Sequence, residues 1–165
     1  MDLTNPMHIA TKSSKIDITL EKDTEWISQK ISNYLSKGDV VFLYGEIGVG
    51  KTSFIRHLIN YLQTKKNYKL TEIPSPTFNI VHEYKIEELI ICHYDLYRVK
   101  SEMELNNIGI FENKKDTVTL VEWPEIIKKK PKNIIELFFN YEENLSKRSL
   151  VISSNYKKEI FNEFK

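Results

Sequence analysis

The chain has 165 residues, of which 41% are hydrophobic, and these values suit one folded domain with one sizeable core. We therefore predict a single domain over residues 1–165, with residues 1–14 and 155–165 at its periphery. The 24 basic and 23 acidic residues leave a net charge of +1, which gives no support for a general nucleic-acid-binding or membrane-binding surface. The single cysteine, Cys92, excludes an internal disulfide and a cysteine zinc cluster.

Two further features of the sequence bear on where the protein acts. Residues 1–15 contain no apolar stretch of the kind found in secretory signals, and no apolar run is long enough to span a membrane. A solitary thiol suits a reducing compartment. Together these features predict a cytoplasmic protein.

The first part of the chain predicts a strand, a helix and a second strand. Apolar and polar residues alternate over 16–20, which is typical of a half-buried strand. Asp23 or Thr24 can cap a helix whose apolar residues recur at helical spacing to about Lys37. The apolar run at 40–44 then predicts a buried strand.

A glycine-rich loop follows this strand. Residues 45–52 have the G-x-x-x-x-G-K-T pattern of a phosphate-binding loop, and a helical pattern continues from there to about Gln63. The glycines allow successive backbone N–H groups to turn toward an anion, and the helix adds the partial positive charge of its N-terminus. Lys51 can reach the β- and γ-phosphates, and the Thr52 hydroxyl can hold Mg²⁺. The alternative is a turn that binds no phosphate, but strand and helix flank the motif as phosphate binding requires.

The rest of the chain predicts further strands and short helices. Pro74 and Pro76 favour an extended loop over 71–78, and the strands at 79–84 and 89–95 are close enough in sequence to form a hairpin. Other strands are predicted at 117–122, 134–141 and 149–153, and short helical segments at 101–106, 125–130 and 155–165. We therefore predict a three-layer α/β fold of the P-loop NTPase type. It has a mainly parallel central sheet, antiparallel marginal strands and the phosphate loop at the carboxyl edge of the sheet.

Two acidic residues end apolar strands and are candidate partners of a metal ion. Glu122 ends the strand at 117–122, which we expect beside the phosphate-loop strand, so that its carboxylate faces Mg²⁺. The alternative is a solvated acid at a strand end. Asp95, in the segment His-Tyr-Asp-Leu-Tyr-Arg, is the best candidate for a carboxylate that orders the metal or positions water. Arg98 could instead pair with Asp95, and His93 alone is typical of a core histidine.

Ser75 and Thr77 lie in the segment Ser-Pro-Thr-Phe of the proline-containing loop. A threonine between the phosphate-loop helix and the next strand is typical of switch segments that respond to the γ-phosphate. A plain turn is the alternative, and composition alone does not separate the two.

One tetrapeptide matches a guanine-binding signature but stands in the wrong place. Residues 113–116 have the N-K-x-D pattern of GTPases, where it follows the metal-binding strand. Here it precedes the strand at 117–122, and the chain contains no D-x-x-G. We interpret it as a polar turn and expect ATP rather than GTP.

These motifs together resemble one family closely: TsaE (formerly YjeE), the bacterial ATPase of tRNA threonylcarbamoyladenosine biosynthesis. The matching segments occur in the family's order and are G-E-I-G-V-G-K-T at 45–52, S-P-T-F at 75–78, H-Y-D-L-Y-R at 93–98, G-I-F-E at 109–112 and V-E-W-P-E at 121–125. The resemblance implies a Mg²⁺-dependent ATPase that acts with the transferase TsaD and its inactive paralogue TsaB. That complex modifies the adenosine next to the anticodon in tRNAs that read codons beginning with A. The ATP cycle would support turnover of the complex, and direct contact with tRNA is left open.

The resemblance also implies roles at the phosphates and the metal. The residues that would wrap the phosphates are Gly48, Val49, Gly50, Lys51, Thr52 and Ser53. Thr52 and Glu122 would hold Mg²⁺, and Asp95 would lie near the metal and the attacking water. Lys51, Asp95 and Glu122 would therefore form the catalytic set.

Further roles are implied around the nucleotide. Ser75 and Thr77 would belong to the switch loop. Thr24 would border the adenine. The residues close to the remainder of the nucleotide would be Trp123, Glu125 and Arg148.

Two other functions are compatible with a phosphate loop. A small-molecule kinase would use the same loop, but such kinases carry an arginine-rich lid, and Arg56, Arg98 and Arg148 are well separated in this chain. A non-hydrolysing module would use Asp95 and Glu122 to order Mg²⁺ without turnover. No arginine finger is evident in the switch loop, so we expect slow ATP hydrolysis by the chain alone and stimulation by its partners.

Overall fold

A mixed β-sheet forms the centre of the structure, and helices lie on both of its faces. The computed structural model describes residues 10–112 and 114–165, and within them eight strands form this sheet. In chain order the strands are β1 (Thr11–Lys12), β2 (Ile16–Asp17), β3 (Val40–Tyr44), β4 (Val81–Ile86), β5 (Leu89–Asp95), β6 (Thr117–Glu122), β7 (Ile135–Glu142) and β8 (Lys147–Ser154). The helices are α1 (Glu21–Ser32), α2 (Lys51–Lys65), α3 (Glu102–Ile108) and two 3₁₀ helices at Pro124–Ile126 and Lys158–Phe164. Within the described residues, no helix is both long and apolar enough to cross a membrane.

The strand order is β1-β8-β7-β3-β6-β5-β4, and β2 also pairs with β8. The four central strands, β7, β3, β6 and β5, are parallel to one another. In contrast, β4 pairs antiparallel with β5, and β8 pairs antiparallel with β7, β1 and β2. This order confirms the predicted central sheet, mainly parallel with antiparallel strands at its margins. The bounds of β3, β5 and β6 are those predicted.

Alternate residues of β3 face two separate hydrophobic cores. Val41 and Leu43 pack in the core that contains apolar side chains of α1 and α2. Val40 and Phe42 pack in the opposite core, to which α3 contributes Leu105. A strand that is buried on both faces is typical of a parallel sheet between helical layers, so the three-layer prediction is confirmed.

The first helix is shorter at its C-terminus than predicted. α1 begins at Glu21 and ends at Ser32, well before Lys37. The Asp39 carboxylate accepts hydrogen bonds from the backbone N–H of Ser36 at 2.7 Å and from its hydroxyl at 3.3 Å. These bonds form a turn that leads into β3, and the turn replaces the last predicted helical turns.

The N-terminal strand prediction at 16–20 is only partly correct. β2 is confined to two residues, and the Asp17 carboxylate then accepts a hydrogen bond from the backbone N–H of Thr19 at 2.8 Å, which turns the chain. Part of the segment 1–14 joins the sheet, because β1 pairs with the end of β8. The remainder of that segment, residues 1–9, lies outside the described residues.

The C-terminal segment adds side chains to the core. Its helix is a 3₁₀ helix over Lys158–Phe164, and Ile160 and Phe161 are buried in the core shared by α1 and α2. The helical turn predicted at 125–130 is likewise a 3₁₀ helix, placed slightly earlier at Pro124–Ile126. Of the tetrapeptide at 113–116, the first residue lies outside the described residues and the other three form a turn before β6.

Candidate functional site

The carboxyl ends of β3, β5 and β6 bring two acidic side chains to one edge of the sheet. In the strand register Leu43 of β3 pairs with Glu122 of β6, and Glu122 pairs with Asp95 of β5. Only 2% of Glu122 and 3% of Asp95 is exposed to solvent. β6 therefore lies directly beside the strand that precedes the glycine-rich loop, as the sequence predicts.

The glycine-rich loop between β3 and α2 has backbone conformations that favour glycine. Gly45, Gly48 and Gly50 have φ values of +141°, +76° and +118°. A Cβ atom at Gly45 would lie 2.6 Å from the carbonyl oxygen of Phe139, so this glycine also permits a close approach to β7. α2 begins at Lys51, and the first N–H groups of a helix have no acceptor within the helix. The loop and the start of α2 thus form a site suited to an anion.

Lys51 folds back across this loop. Its ammonium group donates hydrogen bonds to the carbonyl oxygens of Gly45 at 2.5 Å and of Glu46 at 2.9 Å. It also lies 3.9 Å from the centre of the Trp123 ring, within the range of a cation–π contact. Burial lowers the pKa of the Lys51 ammonium, and the negative charges of nearby carboxylates, Glu122 first among them, oppose that shift. The ammonium is therefore held at the mouth of the loop by oxygen atoms and an aromatic face.

Glu122 links the end of β6 to the first turn of α2. The Thr52 hydroxyl contacts both carboxylate oxygens of Glu122, at 2.9 Å and 3.0 Å. The imidazole of His93 contacts one of them, with 2.8 Å between Nε2 and Oε1, and none of His93 is exposed. The acid at the end of β6 is thus partnered on both sides and is not a solvated residue.

Asp95 is held by the loop that precedes β4. The hydroxyls of Ser75 and Thr77 each donate to Oδ2 of Asp95 at 2.7 Å, and the two hydroxyls lie 2.8 Å apart. The backbone N–H of Tyr97 donates to Oδ1 at 3.0 Å. The predicted switch residues therefore bind one of the predicted metal-site carboxylates directly. No salt bridge joins Asp95 to Arg98 among the described residues, and the Arg98 guanidinium lies over the Phe78 ring instead.

Trp123 adopts a backbone conformation that is unusual for a residue other than glycine. Its φ is +58°, and it is the residue that caps the 3₁₀ helix after β6. The conformation turns the chain sharply after Glu122 and places the indole against Lys51 on one side and the Tyr97 ring, 4.9 Å away, on the other. Left-handed backbone at such a residue costs conformational energy and is enriched at functional sites.

A cleft of about 350 Å³ opens among these groups. The predicted residues that line it are Gly48, Gly50, Lys51, Thr52, Ser53, Ser75, Thr77, Asp95, Glu122 and Trp123. Ile47 and Tyr97 also line it, and the sequence analysis did not propose them. Tyr97 follows Asp95 by two residues and stands in the same motif, which is the signal that could have identified it.

Four predicted residues lie outside this cleft. The side chain of Val49 is buried in the core, so the residue can face an anion only through its backbone. Thr24 is nearly buried on α1. Glu125 lines a neighbouring cleft beside Trp123. Arg148 lies 5.9 Å from the Tyr141 ring, whose hydroxyl donates to a carbonyl of the glycine-rich loop at 3.2 Å.

The donors at this site suit Mg²⁺. No group of three or more His, Cys, Asp or Glu side chains in residues 10–112 and 114–165 is arranged to hold a metal by itself. A hydroxyl and one or two carboxylates are the usual protein contribution to Mg²⁺, which takes its other ligands from phosphate oxygens and water. Thr52, Glu122 and Asp95 supply that set at the mouth of the loop. The residues present therefore fit a metal that is shared with a nucleotide.

A phosphate loop between a buried parallel strand and a helix, with acidic residues at the ends of neighbouring strands, defines a P-loop fold. A crystal structure of YdiB from Bacillus subtilis has the same fold. Its TM-score to this chain is 0.71 at 21% sequence identity, and the match covers 95% of this chain and 96% of that one.

The family model described as "Threonylcarbamoyl adenosine biosynthesis protein TsaE" matches residues 18–150, and the chain belongs to this family. A relative from Rickettsia conorii, named tRNA threonylcarbamoyladenosine biosynthesis protein TsaE, is 34% identical over 146 residues, covering 79% of this chain and 81% of the relative. The protein of the same name from Haemophilus influenzae is 31% identical over 136 residues, with the same coverage of 79% and 81%. The resemblance noted from the sequence motifs is confirmed.

Proposed function

We propose that this chain is a Mg²⁺-dependent ATPase that supports the threonylcarbamoylation of tRNA. The observation that carries the proposal is the pair of hydrogen bonds between Thr52 of the glycine-rich loop and the Glu122 carboxylate, at 2.9 Å and 3.0 Å. They place the hydroxyl expected at a loop-bound metal beside the acid expected to complete its coordination. Family membership supplies the pathway, because the relatives are named for tRNA threonylcarbamoyladenosine biosynthesis.

The glycine-rich loop would hold the phosphates of ATP. The backbone N–H groups from Gly48 to Ser53, including that of Val49, would bind phosphate oxygens, and the start of α2 would add its partial positive charge. The Lys51 ammonium already lies at the loop and would offset the charge of the β- and γ-phosphates. Replacing its contacts to two neutral carbonyls by contacts to phosphate oxygens strengthens each hydrogen bond, because both partners are then charged.

Thr52 and Glu122 would hold Mg²⁺, with Asp95 close to it. A bound Mg²⁺ would neutralise charge that develops on the transferred phosphoryl group. Asp95 would orient the attacking water, and its position is set by the hydroxyls of Ser75 and Thr77. A change at the γ-phosphate would therefore reach the switch loop through Asp95.

The remaining residues would contact the rest of the nucleotide. Trp123 and Glu125 lie beside the glycine-rich loop, and we assign them to the nucleotide on that ground. Arg148 approaches the loop through Tyr141. Thr24 is assigned to the adenine side on the family resemblance alone. The preference for ATP over GTP remains a prediction.

The chain would act with TsaD and TsaB in the cytoplasm, where its ATP cycle supports turnover of the modifying complex. No arginine lines the cleft in the described part of the chain. An arginine is the group that most often accelerates hydrolysis at a phosphate loop, so slow hydrolysis by the isolated chain is expected. Stimulation by TsaD and TsaB would then come from groups that complete the site or order the switch loop, and the proposal requires no contact between this chain and tRNA.

The test is ADP formation by the purified chain, alone and with TsaD and TsaB, at saturating ATP and Mg²⁺. We expect stimulation by the pair, and its loss in Lys51→Ala. Lys65→Ala is the matched control, because Lys65 ends the same helix and its ammonium bonds to Asn33 at 2.8 Å, far from the loop. The Lys65 variant should hydrolyse ATP like the unmodified chain.

Glu122→Gln separates hydrolysis from binding alone. We expect this variant to bind ATP and to lose ATP-dependent support of tRNA modification. Retention of that support would reject the hydrolytic role of Glu122 and favour a nucleotide-gated binding module. Formation of ADP only when a small hydroxyl-bearing metabolite is added, with no effect of TsaD and TsaB, would instead indicate a small-molecule kinase.

A further inference from the structure

A buried histidine lies beside the acid at the end of β6, and the cleft residues do not include it. We propose that His93 is a positioning residue, which fixes the orientation of the Glu122 carboxylate at the metal site. The inference rests on the proposed function, because only there is Glu122 a metal ligand. His93 would act through Glu122 and would touch neither metal nor nucleotide.

The hydrogen bonds of Glu122 show why a second donor matters. The Thr52 hydroxyl lies 2.9 Å from Oε1 and 3.0 Å from Oε2, so it contacts the two oxygens almost equally and does not fix the rotation of the carboxylate group. His93 contacts Oε1 alone, at 2.8 Å. The imidazole therefore determines which oxygen is held toward β5 and which is left for a cation.

The surroundings of His93 determine its tautomer. The pair is almost fully buried, with 0% of the His93 side chain and 3% of the Glu122 side chain exposed. The other ring nitrogen, Nδ1, is buried and has no hydrogen-bond partner among the described residues. A proton on Nδ1 would be a buried donor without an acceptor among the described residues, which is unfavourable. A proton on Nε2 instead donates to the carboxylate, so an Nε2–H donor fits the site.

On its face of β5, His93 lies between a residue of the hydrophobic core and a residue of the cleft. Side chains two residues apart share a face of a strand, so Ile91, His93 and Asp95 lie on one face of β5. Ile91 belongs to the core beneath α2, and Asp95 lines the cleft. An apolar side chain at position 93 would extend that core and leave the Glu122 carboxylate with Thr52 as its only side-chain donor in the described chain. The geometry thus indicates a role toward Glu122 rather than packing.

The first test uses the unmodified, metal-free chain. Nitrogen-15 NMR of the histidine rings distinguishes the two tautomers from their ring-nitrogen shifts. We expect His93 to carry a proton on Nε2. A ring with a proton on Nδ1 and none on Nε2 would overturn the proposal, because Nε2 could not then donate to Glu122.

The second test measures metal affinity with Mn²⁺ as the probe, by electron paramagnetic resonance in the presence of ADP. Loss of an outer partner of a metal ligand typically weakens metal binding about 10–100-fold, and we expect at least about 10-fold weaker Mn²⁺ binding in His93→Leu. ADP affinity without metal should stay within about 2-fold, because His93 touches no part of the loop. His93→Gln, which can present an amide N–H to Glu122, should recover most of the affinity and shows that the fold is retained. His82→Leu is the matched control, because His82 is the register partner of His93 on β4 but bonds to Asn79.

Combining the substitutions distinguishes the possible failures. If His93 acts through Glu122, His93→Leu should weaken Mn²⁺ binding no further when added to Glu122→Gln. An equal loss in both backgrounds, or unchanged Mn²⁺ binding in His93→Leu, would overturn the positioning role while leaving the proposed function intact. If Glu122→Gln alone binds Mn²⁺ like the unmodified chain, Glu122 is not a metal ligand, and both the assignment and the inference are wrong.

Discussion

The hydroxyls that hold Asp95 allow a quantitative test of how the switch loop is attached to the sheet. Ser75→Ala and Thr77→Val each remove one hydroxyl from Oδ2 of Asp95 and leave the other in place, each originally at 2.7 Å. The double variant removes both. Among the described residues, the backbone N–H of Tyr97 is then the one donor left to the Asp95 carboxylate, and it bonds to Oδ1.

The expected cost follows from the charge and burial of the acceptor. A hydrogen bond to a charged group contributes about 1.5–3 kcal/mol, and the remaining hydroxyl still satisfies Oδ2, so each single substitution should lower the free energy of unfolding by about 1.5 kcal/mol. The double variant leaves a charged oxygen unpaired in a residue that is only 3% exposed. We therefore expect a total loss of about 5 kcal/mol, about 2 kcal/mol more than the sum of the single losses.

Urea-induced unfolding followed by circular dichroism measures these differences in unfolding free energy, with one dependence of free energy on urea concentration used for all variants. Ser146→Ala is the control, because its exposed hydroxyl bonds only to the carbonyl of Glu143, and its effect should stay within about 0.5 kcal/mol. Additive losses in the double variant, within about 0.5 kcal/mol, would refute the reasoning that the two hydroxyls share one buried oxygen. Losses as small as that of the control would show that Asp95 does not depend on them.

Three further predictions concern the loop, the C-terminal segment and a buried phenol. Gly45→Ala places a Cβ atom 2.6 Å from the carbonyl oxygen of Phe139 and should lower the free energy of unfolding by about 3 kcal/mol. A Cβ atom at Gly50 meets no atom within 4 Å, so Gly50→Ala should cost about 1 kcal/mol for its φ alone. Urea unfolding of both variants measures the difference. Ile160→Ala, at a side chain that is 0% exposed, should cost about 3 kcal/mol, measured as a lowered Tm and urea midpoint. Burial raises the pKa of Tyr44 to about 12. An unfolded chain releases that proton near its ordinary pKa of about 10, so stability should fall as pH rises from about 10 to about 12. Tyr44→Phe should reduce this dependence of the urea midpoint on pH without abolishing it, because burial also raises the pKa of Tyr94 to about 12.

The parts of the site that were predictable from sequence are those encoded by neighbouring residues. The buried strand before Gly45, the glycine-rich loop and the helix from Lys51 are contiguous, and each supports the interpretation of the next. The acids at positions 95 and 122 were identifiable because each ends a strand made mainly of apolar residues, which is typical of a strand buried on both faces. The position of β6 beside β3 was predictable because a phosphate-loop site needs a metal-binding acid at the end of the strand next to the loop strand.

The end of α1 was not predictable, because residues distant in sequence determine it. Ser36 bonds to Asp39, and Lys157 from the C-terminal segment also bonds to Asp39, so a residue near the other end of the chain stabilises the turn. Tyr156 donates to the same carboxylate at 2.9 Å. Apolar residues do recur at helical spacing in the segment 33–37, but the hydrogen bonds to Asp39 stabilise a turn there instead of a helix.

The contacts across the site could not be predicted from the sequence either, because they also join residues that are distant in the chain. The cation–π contact of Lys51 with Trp123 depends on a left-handed backbone at Trp123, and a bulky residue gives no sign of that conformation in its sequence. The bond between His93 and Glu122 joins two strands whose pairing register must be known first. A lone histidine in an apolar run is typical of a core residue, and His93 is fully buried, but the sequence pattern gives no sign of its contact with Glu122.

Strand register connects the hydrophobic core to the geometry of the site. Side chains alternate between the two faces of β6, so that Val118 and Leu120 pack in the core beneath α2 while Val121 packs in the opposite core. Glu122 has the same parity as Val118 and Leu120 and therefore projects toward α2, where Thr52 lies in the first turn of the helix. A shift of one residue in the pairing of β6 would turn Glu122 to the other face and move Val118, Leu120 and Val121 into cores where they do not fit. The free energy of core packing thus holds the carboxylate opposite the glycine-rich loop, although none of the buried hydrophobic core residues in the described chain lines the cleft.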